Sequence, residues 1–145
     1  MKMKGLPILI RLARQRADDR RTALAEAGRQ VAATEEALAA QDQAFTQETE
    51  QARGRAEEMA LWSAWSPMAS GRRRQMLHAA SLLRTQEDTL RAALREDFAE
   101  IKRLELARDA AALATRRQAA RRAEVAAEEE ESQRHRASAT VLLAD

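Results

Sequence analysis

Apolar residues recur at seven-residue intervals through the first half of the chain, at Ile10, Ala17, Leu24, Val31, Leu38, Phe45, Ala52 and Met59. A strict heptad holds one stripe of a slightly underwound helix against a partner and imposes a left-handed supercoil. The companion positions three residues on are poorer: Ala13, Arg20, Ala27, Thr34, Gln41, Glu48, Arg55 and Trp62. A good seam beside a weak one predicts a thin two-helix contact, not burial inside a large bundle.

The heptad stops within residues 62–71, which hold both tryptophans, Pro67 and Gly71. Ser66 before Pro67 reads as an N-cap followed by proline at the first helical position, and Ser70 before Gly71 is a second candidate cap. Trp62 and Trp65 are expected to cover the hairpin tip. Beyond them the stripe resumes through Met76, Ala80, Leu83, Leu90, Leu94, Ile101, Leu104 and Ala111, with a gap at Asp97. It then thins, Leu113 and Val125 being the only large apolar residues between Ala111 and Ala127. The pattern predicts an all-α chain, a single long antiparallel two-helix coiled-coil hairpin. Helix one covers about 6–64, the turn about 65–71 and helix two about 72–131, and residues 132–145 form a frayed or disordered tail. In that arrangement residue i faces roughly residue 136 minus i, and helices of about 55 to 65 residues make a rod on the order of 80 to 100 Å long. Both termini then share the end away from the turn. A monomer is expected. A dimer swapped by straightening Ser63 to Gly71 is opposed by Pro67, since proline inside a continuous helix costs about 3 kcal/mol.

Composition limits what such a chain can do. Of its 145 residues 45% are apolar, but 34 of these are Ala, with two Phe, two Trp and no Tyr. That is too little bulk for a thick core, and four Gly and two Pro leave few places to turn. Ala, Glu, Arg, Leu and Gln are the residues of long helices. A sheet protein is excluded, and so is a compact enzyme with a deep pocket. No Cys is present, which removes disulfides, thiol chemistry and cysteine-ligated metals. His78 and His135 have no second ligand at metal spacing, the glycines at 5, 28, 54 and 71 form no phosphate loop, and Glu35-Glu36 and Glu57-Glu58 read as solvated faces. No catalytic, cofactor or metal site is expected. The apolar run Leu6 to Ile10 is too short for a signal-peptide core, and no stretch approaches the roughly 20 apolar residues of a spanning helix. A cytoplasmic chain without direct membrane insertion is expected.

Charge is unevenly placed. Residues 1–30 carry eight Lys or Arg against three acids, residues 31–66 two against seven, and residues 102–122 seven against two. In the expected register the last stretch, with Arg116, Arg117, Arg121 and Arg122, lies beside Arg11 to Arg29, making a positive open end. A solvated face is one reading of it. Nucleic acid is disfavoured, because aromatic interleaving, a basic-zipper connection and zinc-finger spacing are all missing. An acidic protein cavity is the better partner.

A non-catalytic hairpin of this length resembles the small coiled-coil stalk proteins of type III export machines, the flagellar FliJ and injectisome YscO family. The resemblance rests on residues 6–14 leading into a charged heptad helix, the central Trp-Ser-Pro segment, and residues 76–83 opening helix two. It implies a protein that inserts into a hexameric export ATPase, links it to a transmembrane export-gate protein and escorts export chaperones. Such a chain sits peripherally at the cytoplasmic face of the inner membrane through protein partners. It further implies ATPase contact by Arg11, Arg14, Arg20, Arg21, Arg116, Arg117, Arg121 and Arg122. The family's gate contact, an apolar strip with steps of four, three and four, falls here on Met76, Ala80, Leu83 and Glu87. Those residues also lie on the stripe that packs against helix one, and Ala80 and Glu87 depart from an aromatic or aliphatic strip. A structural scaffold or prefoldin-like chaperone holding clients between helices is the competing reading.

Overall fold

The computed structural model describes residues 3–144. A short 3-10 turn, Met3–Gly5, leads into α1, Leu6–Ala52, and α2 runs from Ala56–Ala144. The described residues contain no strand. The chain divides into two compact units, one formed by Ala13–Ala99 and the other by the segments up to Leu12 and from Glu100.

The turn lies at residues 53–55, earlier than the expected 65–71. Gly54 adopts φ +77°, a left-handed conformation in which an L side chain is strained and which commonly ends helices. Arg53 N–H donates to the Glu50 carbonyl and Arg55 N–H to the Ala52 carbonyl, both at 3.3 Å, closing the end of α1. The Arg55 carbonyl then accepts the Met59 N–H at 2.9 Å, opening α2. Glu57 and Glu58 fill the first turn of α2, where the exposed amides favour negative charge. Pro67 therefore lies inside α2. Its ring supplies no N–H to the Ser63 carbonyl one turn back. The tip offsets that loss with a contact that an early turn alone allows: Trp62 and Trp65 come back onto Phe45, the rings 6.1 and 5.6 Å apart. Aromatic pairs of this kind contribute about 0.5–1.5 kcal/mol each beyond their buried area.

Cross-helix partners within Ala13–Ala99 appear in reversed order. Thr49 meets Trp62, Gln41 meets the Ala69 carbonyl, Asp42 meets Arg73, Glu35 meets Arg84 and Arg20 meets Asp97. This is the order a hairpin requires. Its register differs from the expected one, because Arg20 was to face Arg116 and instead faces Asp97. The inward side of α1 is Ala13, Ala17, Leu24, Ala27, Val31, Leu38, Phe45 and Ala52, all buried or half-buried. On α2 it is Trp62, Ala69, Met76, Ala80, Leu83, Leu90, Leu94 and Asp97. Met59, expected as the last seam residue of the first helix, belongs to α2 and is exposed.

Two polar interruptions of the seams answer one another. Arg20, a flaw in the α1 series, forms an ion pair with Asp97, the gap in the α2 stripe, which is 7% exposed. The contact is ionic and lacks hydrogen-bond alignment. Beside it the Arg21 guanidinium lies 4.9 Å above the Phe98 ring. With its carboxylate buried and its guanidinium half-exposed, the pair serves register better than raw stability, since sliding either helix by one step leaves the Asp97 charge buried alone.

In the other unit Leu6 and Ile10 are buried, and Ile101, Leu104, Ala111 and Ala112 are half-buried. Every residue of 113–144 is exposed, yet α2 continues to Ala144, so the expected frayed tail over 132–145 is helical throughout its described part, Asp145 lying outside. Alanine, arginine and glutamate favour helix without needing a packing partner, and Thr140 Oγ1 adds a bond to the Arg136 carbonyl.

Two pairs of substitutions test this arrangement by thermal and urea melting. Gly54→Ala is expected to lose about 1–2 kcal/mol, although its Cβ meets no atom within 4 Å, because the cost lies in the backbone. Pro67→Ala is expected to gain up to about 3 kcal/mol, whereas a turn at 65–71 predicts no gain. Arg20→Ala, which strands a buried carboxylate, is expected to lose about 1–3 kcal/mol. The double change Arg20→Leu with Asp97→Leu is expected to match or exceed the parent.

Candidate functional site

The Ala13–Ala99 unit presents a fixed aromatic platform at its turn. Trp62 Nε1 donates to Thr49 Oγ1 at 3.0 Å, which pins the indole across the two helices. Thr49 Oγ1 in turn donates to the Phe45 carbonyl at 2.7 Å, and Trp65 stacks on the Phe45 ring at an interplanar angle of 26°. With its inner face on Phe45, Trp65 keeps an exposed edge. Leu61 and Met68 flank it, 72% and 73% exposed, and Arg72 follows one turn on. These four residues are spaced four, three and four apart, which puts them on one face of α2. Solvated Leu and Met beside a half-covered Trp serve no packing inside the unit.

A cleft of about 650 Å³ opens beside this face, lined among others by Glu48, Glu50, Arg53, Arg55, Glu58, Leu61, Trp62 and Trp65. Arg55 is paired with Glu58 at 3.0 Å. Glu48 and Glu50 carry no ion pair among the described residues, and neither does Glu57 nearby. The platform is thus apolar with an acidic rim.

Two arginine braces stiffen the helices behind it. Arg73 grips Asp42 with Nε to Oδ1 at 2.6 Å and Nη2 to Oδ2 at 3.2 Å, and Arg84 holds Glu35 Oε1 with both nitrogens. The hydrogen bond from Arg73 holds the Asp42 carboxyl below its usual range, with slight desolvation opposing and the charge of Arg73 assisting. Gln41 reaches from α1 to the Ala69 carbonyl at 2.9 Å.

The residues expected for gate contact fall elsewhere. Ala80 is 1% exposed, and Met76, Leu83 and Glu87 are half-buried on the same inward stripe. The early turn carries that stripe into the helix–helix seam, so this strip is not free for a partner. The exposed strip with the same spacing begins at Leu61. It was missed because a turn at 65–71 takes Trp65 and Met68 out of any helix; the signal that locates it is Gly54 followed by Glu57 and Glu58. Among the expected ATPase contacts, Arg20 is engaged by Asp97, and Arg21 by Asp18 and Phe98. Arg11 and Arg14 are exposed, as are Arg116, Arg117, Arg121 and Arg122. The pairing of Arg11 to Arg29 with residues 102–122 does not hold at Arg20 and Arg21, whose partners are Asp97 and Phe98. His78 and His135 are exposed.

No protein-family model matches the chain, and no curated protein and no solved structure is significantly similar to it. No helix among the described residues is long and apolar enough to cross a membrane.

The Asp42 brace has a pH signature. A carboxyl depressed in the folded state contributes stability that is complete above its ordinary value and is lost as pH falls through the depressed one. Side-chain carboxyl NMR of Arg73→Gln is expected to show Asp42 titrating at higher pH than in the parent. An unshifted titration would mean that the brace does not form in solution.

Proposed function

We propose that the chain is a non-catalytic stalk and adaptor of a bacterial type III protein export apparatus, flagellar or injectisome, acting through protein contacts at separate places on its helices. The observation that carries this reading is the exposed strip Leu61, Trp65, Met68 and Arg72 near the start of α2. It has the spacing and the position that the stalk resemblance gives to export-gate contact. A rigid Trp set between solvated apolar residues is the kind of anchor around which protein interfaces concentrate their affinity. The exposed arginines at 11, 116, 117, 121 and 122 supply the second contact, with an acidic cavity of the hexameric ATPase, where opposite charge speeds encounter and sets orientation. The chain then works at the cytoplasmic face of the inner membrane, held there by its partners, with export chaperones as further cargo.

The exposed Leu61 and Met68 also favour a second reading, a chaperone that holds apolar clients at the tip. Binding measured separately to a purified export ATPase hexamer and to the cytosolic part of an export gate distinguishes the two. The pair Leu61→Ser and Met68→Ser, at two largely exposed positions, is expected to weaken gate binding at least about tenfold and leave ATPase binding unchanged. Failure to bind either partner, with capture of many unrelated unfolded clients instead, would overturn the stalk reading in favour of the chaperone.

A further inference from the structure

Residues 6–12 open α1 with six apolar side chains in seven, Leu6, Pro7, Ile8, Leu9, Ile10 and Leu12. Only Leu6 and Ile10 among them are buried. Ile8, Leu9 and Leu12 stay 55%, 43% and 54% exposed. At about 100° per residue Ile8 and Leu12 stand one turn apart on the side opposite Leu6 and Ile10, and Leu9 lies on one flank. Arg11 borders Ile8 on the other flank. A helix apolar on every side is a covered helix, so three side chains here lack their cover.

The charges around this patch are of one sign. Lys4, in the turn before α1, and Arg11 are exposed and form no ion pair among the described residues. The first acid in the sequence is Asp18, and five Lys or Arg precede it. Two kinds of protein partner match this poorly. A partner helix needs the apolar stripe to recur every seven residues, and the residues seven on from Ile8, Leu9 and Leu12 are Gln15, Arg16 and Asp19. An acidic cavity satisfies Arg11 but sets carboxylates against three apolar side chains.

The boundary between lipid headgroups and acyl chains meets both demands, taking apolar side chains to a depth of about 5–10 Å while cations stay with the phosphates. We propose that the first two turns of α1 dock on the surface of a membrane rich in anionic lipid. Ile8, Leu9 and Leu12 enter one leaflet, and Lys4 and Arg11 rest on its phosphates. Such docking asks for no spanning helix, and none among the described residues is long and apolar enough to be one. It adds a direct hold on the membrane to the contacts through protein partners proposed above. Arg11 is among the residues assigned there to the export ATPase, so lipid and ring compete for this end of α1. The docking rests on the patch alone and stands or falls apart from the export role.

The test is co-sedimentation of the full chain with vesicles. Vesicles of phosphatidylglycerol mixed with phosphatidylcholine are expected to carry the chain down, and vesicles of phosphatidylcholine alone to leave it in solution. Ile8→Ser with Leu12→Ser, and separately Lys4→Gln with Arg11→Gln, are each expected to weaken binding to the anionic vesicles at least about tenfold while circular dichroism keeps its helical signal. Arg121→Gln with Arg122→Gln removes the same charge from a distant exposed part of α2 and is expected to change binding by less than about twofold, since attraction to the surface fades within a Debye length. Depth is read with an environment-sensitive fluorophore on Leu9→Cys in this Cys-free chain, whose emission is expected to shift to the blue on the anionic vesicles. Absence of binding to those vesicles would overturn the proposal. Binding indifferent to Ile8→Ser with Leu12→Ser, an equal loss from Arg121→Gln with Arg122→Gln, or an unshifted fluorophore would overturn it too, each marking a basic chain adsorbed by charge alone.

Discussion

Alanine supplies most of the fully buried residues in the helix–helix contact of the Ala13–Ala99 unit, and alanine does not specify register. One Ala fits against another at many offsets, whereas a buried charge fits against one partner. Arg20 and Asp97 supply that constraint. Once they face each other, Ala80 enters the seam, Asp42 comes within reach of Arg73, and Glu35 within reach of Arg84. The pair adds little net stability for the desolvation it incurs, but its loss would make several alignments of the two helices nearly equal in energy.

The other end of the same contact is fixed by aromatic bulk. Phe45, Trp62 and Trp65 are nearly all the aromatic surface the chain has, and they are gathered within a few turns of Gly54. A thin Ala seam cannot close a helix end by itself. The cluster does so, and the hydrogen bond from Trp62 to Thr49 fixes its orientation. A consequence for function follows, because the residues left over on the outer side of this cluster, Leu61 and Met68, are apolar without an internal task. The platform is rigid because its inner half is structural.

Beyond Ala112 the physics changes. There is no seam to hold the helix, and the backbone remains helical through the intrinsic preference of its residues. Its charges, freed from packing, are arranged in blocks that a self-stabilising helix would interleave. Such an arrangement makes sense when the compensating charges belong to another molecule, as an acidic cavity would supply for the arginines.

The sequence by itself determined that this chain is helical, that it lacks a thick core, that heptad stripes mark its inner faces, and that its charges come in blocks. Each of these is a local or compositional property, legible without knowing which residues meet. Within the Ala13–Ala99 unit the heptad positions from Ala17 to Ala52 and Leu83, Leu90 and Leu94 are buried or half-buried, and Met59 is exposed, because its face depends on where the turn comes. The tertiary structure decided the turn and the register. Proline and two tryptophans at 62–67 carry a strong local breaking signal, and Gly54 a weak one. The choice between them is settled by contacts summed over both helices, chiefly Trp62 and Trp65 on Phe45 and Asp97 on Arg20. That choice moved the inward stripe onto Met76, Ala80, Leu83 and Glu87 and turned Leu61, Trp65, Met68 and Arg72 outward. Which of two equally spaced apolar strips meets solvent is a question of register, and register is a property of the pair of helices that neither helix carries alone.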